Sequence, residues 1–153
     1  MKKLVFTNKG FTLIEALISL VITGILSLIA IPISLRLYDY HQLNQALIVL
    51  QSDLHYVRDF NMGPQASNQL LSILIYSQEN RYDITIGAHG IGHISRQLPK
   101  NVHISSGYPI LSLTFNRQGG VSSAQSIPIR SKYYSKLLVF SIGTGGFDIR
   151  DEK

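Results

Sequence analysis

A single carboxylate stands where the surrounding sequence is apolar. Glu15 lies within Phe11-Thr12-Leu13-Ile14-Glu15-Ala16-Leu17, directly after a basic stretch, and no charge follows it until Arg36. A charge in a membrane helix costs a few kcal/mol at the bilayer centre on insertion scales, so such residues are generally paired and functional. Glu15 is five residues into the block that starts at Phe11, near one membrane face, where the cost is lower. Its expected chemistry is pairing with a positive group supplied from outside the helix.

Other residues with chemical potential are weaker candidates. His89 and His93 are four apart, with His103 nearby. On a helix that spacing suits zinc, but the glycines at 87, 90 and 92 argue for a loop or edge strand, and no metal is expected. Those glycines do not form the dinucleotide fingerprint, and no serine sits in a nucleophile-elbow pattern. No catalytic residue and no cofactor are therefore expected. Asp148, Asp151 and Glu152 read as a solvated tail rather than a calcium site. Arg130, Lys132 and Lys136 interleave with Tyr133 and Tyr134, a mixture that can hold single-stranded nucleic acid by charge and stacking. It also suits a solvated loop whose tyrosines cover a sheet.

The elements that would position these groups follow from patterning. Ala16 to Leu35 holds no charge; twenty residues at 1.5 Å each span about 30 Å, the thickness of a bilayer core. The run is too long for a secretory signal, and Leu28-Ile29-Ala30 offers no small-x-small cleavage site. The 153 residues carry a net charge of +5. Without Met1 to Gly10, which holds Lys2, Lys3 and Lys9, 11 Lys/Arg face 9 Asp/Glu, so the basic balance is weak evidence for nucleic-acid binding. The leader lysines read as a signal that keeps the N-terminus in the cytoplasm. With no cysteine, the chain can hold neither a disulfide nor a thiolate metal site.

Lys9-Gly10-Phe11-Thr12-Leu13-Ile14-Glu15 resembles the processing site of type IV pilins and pseudopilins. The resemblance implies that a prepilin peptidase cuts between Gly10 and Phe11 and methylates the new amine of Phe11. Glu15 then takes the place of the family's glutamate and pairs with the N-terminal amine of a neighbouring subunit. Gly24 and Pro32 fall where family members often carry a helix-loosening glycine and proline. The physical reading agrees: glycine weakens a helix and interior proline removes a backbone bond. The implied partners are the peptidase, other major and minor pilin-like subunits, a membrane assembly platform with its ATPase, and lipid before assembly. The implied location is the cell membrane, N-terminus inside and C-terminal domain outside, and then a surface filament.

The expected fold is α+β: one long N-terminal helix, its first half membrane-spanning, packed on a C-terminal antiparallel β-domain. The divisions are a leader at 1–10, a span at 11–35, an amphipathic continuation at 36–62 and a β-rich domain at 65–153. The stripe Tyr40, Leu43, Leu47, Leu50, Leu54 and Val57 recurs at helical spacing and is expected to face the sheet, with Asp39 and Asp53 on other faces. Gly63-Pro64 should end the helix. Alternating runs at 70–76, 81–86, 102–106, 110–116, 126–130, 137–142 and 146–150 read as strands, separated by turns that include 78–80, 87–92 and 119–120.

Leu113-Thr114-Phe115-Asn116-Arg117-Gln118-Gly119-Gly120 and the later Gly143-Thr144-Gly145-Gly146 resemble minor pseudopilins, which carry a Phe-x-x-x-Gly turn and a final hairpin with Gly-x-Gly. The short leader, small domain and absence of cysteine resemble the competence group of Gram-positive bacteria. The expected function is a non-enzymatic minor subunit of a filament for DNA uptake; DNA contact by the 130–136 loop is the lesser reading, and the isolated domain is expected to show no specific binding. The alternatives are a protein-secretion or twitching-pilus subunit and, in another class, a membrane-anchored sensor or enzyme with an uncleaved helix.

Overall fold

The computed structural model describes residues 11–67, 69–86, 92–121, 125–141 and 145–152. One helix, α1 (Leu13–Met62), runs for 50 residues. It starts two residues after Phe11 because Thr12 caps it: the Thr12 hydroxyl accepts from Glu15 N at 3.3 Å. It stops where Gly63 N donates to the carbonyls of Asp59 and Phe60 and Pro64 cannot extend the ladder. A 3-10 turn, Pro64–Ser67, follows.

The chain divides after Leu37. In the first unit the helix passes through Gly24 and Pro32 without interruption, and its residues are exposed. Its hydroxyls bond back to the helix itself, Thr23 to Ser19 O, Ser27 to Thr23 O and Ser34 to Ala30 O, each within 2.9 Å. A helix that satisfies its own polar side chains in this way suits an apolar solvent. Within α1 an 18-residue stretch is apolar enough to cross a membrane.

The second unit, from Tyr38, folds the rest of α1 onto eight strands: β1 (Leu71–Tyr76), β2 (Arg81–Ile86), β3 (Gly92–Gln97), β4 (His103–Ile104), β5 (Ile110–Thr114), β6 (Ser126–Arg130), β7 (Ser135–Phe140) and β8 (Phe147–Asp151). They form two antiparallel four-stranded sheets, ordered β3-β2-β1-β5 and β4-β6-β7-β8. Alternation decides which side chains turn inward. Tyr82 and Ile84 of β2, Leu111 and Leu113 of β5, and Ile127 and Ile129 of β6 are buried. They join Leu43, Leu47, Leu50, Leu54 and Val57 of α1 in one core.

The strands depart most from expectation in four places, and β5 also stops at Thr114, short of 116, with Phe115 left in an isolated bridge to Val121. Residues 92–97 form β3, where no strand is expected, and Arg81 pairs with Gln97; of the expected turn at 87–92, residues 87–91 lie outside the described residues. The expected strand at 102–106 shrinks to β4. Its register is His103↔Arg130 and Ile104↔Ile129, so Ser105 falls opposite Pro128, which has no N–H to continue the ladder. β7 begins at Ser135, which takes Lys136 out of the loop. β8 runs to Asp151, so Asp148 and Asp151 belong to a paired strand and not to a free tail.

On α1, Tyr40 leaves the expected stripe and is 38% exposed. Asp39 and Asp53, expected on outer faces, are buried with Asn61. The buried line is Asp39, Leu43, Ala46, Leu50, Asp53, Val57 and Asn61, with Leu47 and Leu54 beside it. Its polar members sit at the same three-and-four spacing as the apolar ones.

Candidate functional site

The processing junction is the first candidate. Gly10 lies outside the described residues, as do the leader lysines. Phe11 is 88% exposed, and the helix begins directly behind it. Thr12 N and Thr12 Oγ1 both donate to Glu15 Oε2, each at 2.9 Å. Together with the bond from Glu15 N to Thr12 Oγ1, this is a capping box, Thr-x-x-Glu. The carboxylate is thus folded back over the first turn, toward the residue that would carry the new amine. Both Thr12 donors meet on one oxygen, leaving Oε1 for a donor from elsewhere. The pattern Thr12-Leu13-Ile14-Glu15 is a legible capping signature in the sequence, and it explains what holds Glu15 in an apolar setting.

Further along α1, three buried polar residues bind the helix to the sheets. Asp39 accepts from Asn101 Nδ2 at 2.8 Å, Ser131 Oγ at 2.6 Å and Tyr133 N at 3.0 Å. Burial pushes its carboxyl up, but the bonds from Ser131, Asn101 and the backbone of Tyr133 and Lys132 outweigh this and hold it below the ordinary range. Asp53 accepts from Tyr82 Oη at 2.7 Å and Arg96 Nε at 3.2 Å. Burial pushes the Tyr82 phenol up, and the bond to Asp53 and its charge add to this. Asn61 donates to Leu71 O and Phe115 O and accepts from Leu71 N, all within 2.9 Å. It stitches the end of α1 to β1 and to the end of β5.

The Phe115-to-Gly120 turn closes against the same end. Asn116 Oδ1 accepts from Gln118 N and Gly120 N, and Gly119 has φ 77°. A Cβ at Gly119 would stand 2.6 Å from Met62 Sδ; one at Gly145 would stand 1.4 Å from Gly119 O. Positive φ favours glycine at both places, and at Gly145 the backbone of Gly119 leaves no room for a Cβ. Gly143 and Thr144 lie outside the described residues.

The expected nucleic-acid loop is a tight hairpin turn. Arg130 and Ser135 pair across it, and Ser131 N donates to Tyr134 O at 2.8 Å. Arg130 is bidentate to Glu152, at 3.1 and 2.8 Å, and Lys136 pairs with Asp151. Glu152 is held down to about 2 by Arg130 and Ser135. Two of the three basic residues are thus engaged by carboxylates, and Glu152, expected in a solvated tail, fastens the turn. Tyr134 packs edge-on against Tyr40, with centroids 5.3 Å apart. His103 is exposed on β4, and His89 and the side chain of His93 lie outside the described residues. Among the described residues no three His, Asp or Glu side chains gather as metal ligands.

A capped, exposed apolar helix that carries an early glutamate and runs into a two-sheet β-domain makes the chain type IV pilin-like. A family profile described as "Prokaryotic N-terminal methylation motif" matches residues 6–31. The fold is that of the type IV minor pilin FimU of Pseudomonas aeruginosa strain PAO1, in two crystal forms. In one the TM-score is 0.57 at 16% identity, covering 75% of this chain and 91% of that one. In the other it is 0.56 at 15%, covering 70% and 91%. At that identity the likeness shows the fold. No curated protein sequence matches the chain.

Proposed function

We propose that the chain is a non-enzymatic minor subunit of a type IV pilus-type filament. The observation that carries this reading is the methylation motif at the head of one 50-residue helix whose second half is the core helix of a pilin-like domain. On this reading a prepilin peptidase cuts between Gly10 and Phe11 and methylates Phe11. The subunit waits in the membrane, N-terminus inside and β-domain outside, until an assembly platform and its ATPase draw it into the filament. There the free oxygen of Glu15 meets the amine of a neighbouring Phe11, which fixes axial register: either charge buried alone would be costly. Gly24 and Pro32 are the positions at which the helix loosens on leaving lipid.

For the process served, we favour DNA uptake in competence over protein secretion or twitching. The support is the small cysteine-free domain and the Phe115-to-Gly119 turn packed on Gly145. The subunit's part is structural rather than that of a DNA receptor, since Arg130 and Lys136 are engaged by Glu152 and Asp151.

The test is the mature N-terminus. Expression of the full chain with a prepilin peptidase should yield a protein that begins at methylated Phe11, by mass spectrometry. Gly10→Leu should block the cut. An intact Met1-to-Gly10 segment in the presence of active peptidase would overturn the reading in favour of an anchored sensor or enzyme.

A further inference from the structure

Four of the chain's eight tyrosines lie in two short segments, Tyr38 and Tyr40 in the first turn of α1 within the second unit and Tyr133 and Tyr134 in the β6–β7 turn. Tyr38 is 62% exposed, Tyr40 38%, Tyr133 42% and Tyr134 36%. The last two belong to the β6–β7 turn, about 95 residues away along the chain, and their position is imposed. Asp39 grips the turn through Ser131 Oγ and Tyr133 N, and Tyr134 packs edge-on against Tyr40. Asp39 follows Leu35, the end of the uncharged span, by four positions, about 6 Å of helical rise. Lys132 projects from the same turn, exposed, its ammonium 5.2 Å from the Tyr133 ring centroid. A turn that holds amphipathic rings and one cation is therefore tied to α1 at Asp39 and Tyr40.

Aromatic rings with a polar tip concentrate at the headgroup level of membranes, and a lysine beside them is drawn to anionic lipid. We propose that the Ser131-to-Tyr134 turn, with Tyr38 and Tyr40, is a lipid-headgroup contact that seats the β-domain on the outer membrane face before assembly. The inference rests on the proposed membrane residence of the span. Lipid is favoured over nucleic acid at this surface because Arg130 and Lys136 are held in ion pairs, which leaves Lys132 as the turn's outward charge. Phosphate-tracking grooves need several cations in a row. The tyrosines instead continue the border of a span that already needs lipid. Asp39 stays buried beneath the turn, and the neighbouring carboxylates Glu152 and Asp151 are each paired with a base, Arg130 and Lys136.

The absence of native cysteine allows single labels on the full chain. Leu26→Cys, Lys132→Cys and Gln118→Cys each carry an environment-sensitive fluorophore, in vesicles of phosphatidylcholine and phosphatidylglycerol. Gln118 is exposed, and its neighbour Gly119 packs on Met62, at the other end of the second unit's part of α1 from Tyr38. A lipid with a nitroxide on its headgroup should quench the label at 132 and leave the label at 118 unchanged. A nitroxide on the acyl chain should quench the label at 26. Quenching at 26 with none at 132 would overturn the headgroup contact alone; no quenching at 26 would overturn the membrane reading beneath it. A label at 132 that responds to a single-stranded oligonucleotide and not to the headgroup quencher would overturn the lipid assignment in favour of nucleic acid.

Discussion

Glu15 and Asp39 show how two carboxylates in one helix are held for different ends. Glu15 is bonded to Thr12 through one oxygen, and on the proposed reading its other oxygen meets a neighbouring subunit. Glu15→Gln keeps most of the cap geometry, because an amide oxygen can still accept from Thr12, but removes the charge. The expected outcome is normal processing and a folded β-domain, with loss of co-purification with neighbouring subunits. Removing one member of a buried ion pair costs on the order of 3–5 kcal/mol. Undiminished incorporation of the variant would remove this role. Asp39 is consumed within its own domain, and its pKa is lowered on folding. A lowered carboxylate contributes stability above its unfolded pKa that is lost as pH falls through the folded one. Glu152, held to about 2, acts in the same direction. Thermal stability should therefore fall between about pH 5 and pH 2. Asp39→Ala should cost about 1.5–3 kcal/mol at neutral pH, the usual worth of hydrogen bonds to a charged group, and flatten the upper part of that decline. Melting curves across the range check it. Glu15 stood out in the sequence because charge contrasts with its surroundings. Asp39, Asp53 and Asn61 did not, because a polar residue on an apolar stripe is visible only once the stripe is drawn through it.

At the scale of elements, α1 was legible at both ends: Thr12 and Glu15 signal its cap, and Gly63-Pro64 its stop. Its inward face was legible from Leu43 to Val57. The strands with clean alternation, β2 and β6, were legible to the residue. The boundaries that shifted depend on partners distant in sequence. β4 is cut short by Pro128 across the sheet, and β3 exists because β2 offers it an edge. Neither fact is local, so no window along the chain contains it. The packing of α1 gives the prediction at this scale. Leu50 and Leu54 are 1% and 0% exposed. Leu50→Ala or Leu54→Ala should destabilise the β-domain by about 2–5 kcal/mol, the range for a buried leucine that leaves a cavity. Denaturant titration checks it, and unchanged midpoints for both would mean that the stripe does not carry the core.

For the whole molecule, the division after Leu37 separates two kinds of stability. Among its described residues the first unit buries none; the second has its own core, and a chain without cysteine closes it with no disulfide. A chain of residues 38–153 should be soluble and monomeric and melt cooperatively, with a melting temperature unmoved by chelator or reductant. Precipitation of that chain on removal of detergent, or non-cooperative melting, would show that the first unit is needed to complete the fold. The bond between Asp39 and Tyr133 N spans 94 positions of sequence. During synthesis at about 5–20 residues per second, roughly 5–20 s pass between the emergence of the helix and that of the turn which completes its cover. Through that interval the apolar span is already available to the membrane, while the stripe from Leu43 to Val57 stands uncovered. On the proposed reading the newborn subunit is therefore anchored before it is finished, and its exposure to proteases and to premature partners is set by a clock running in the ribosome.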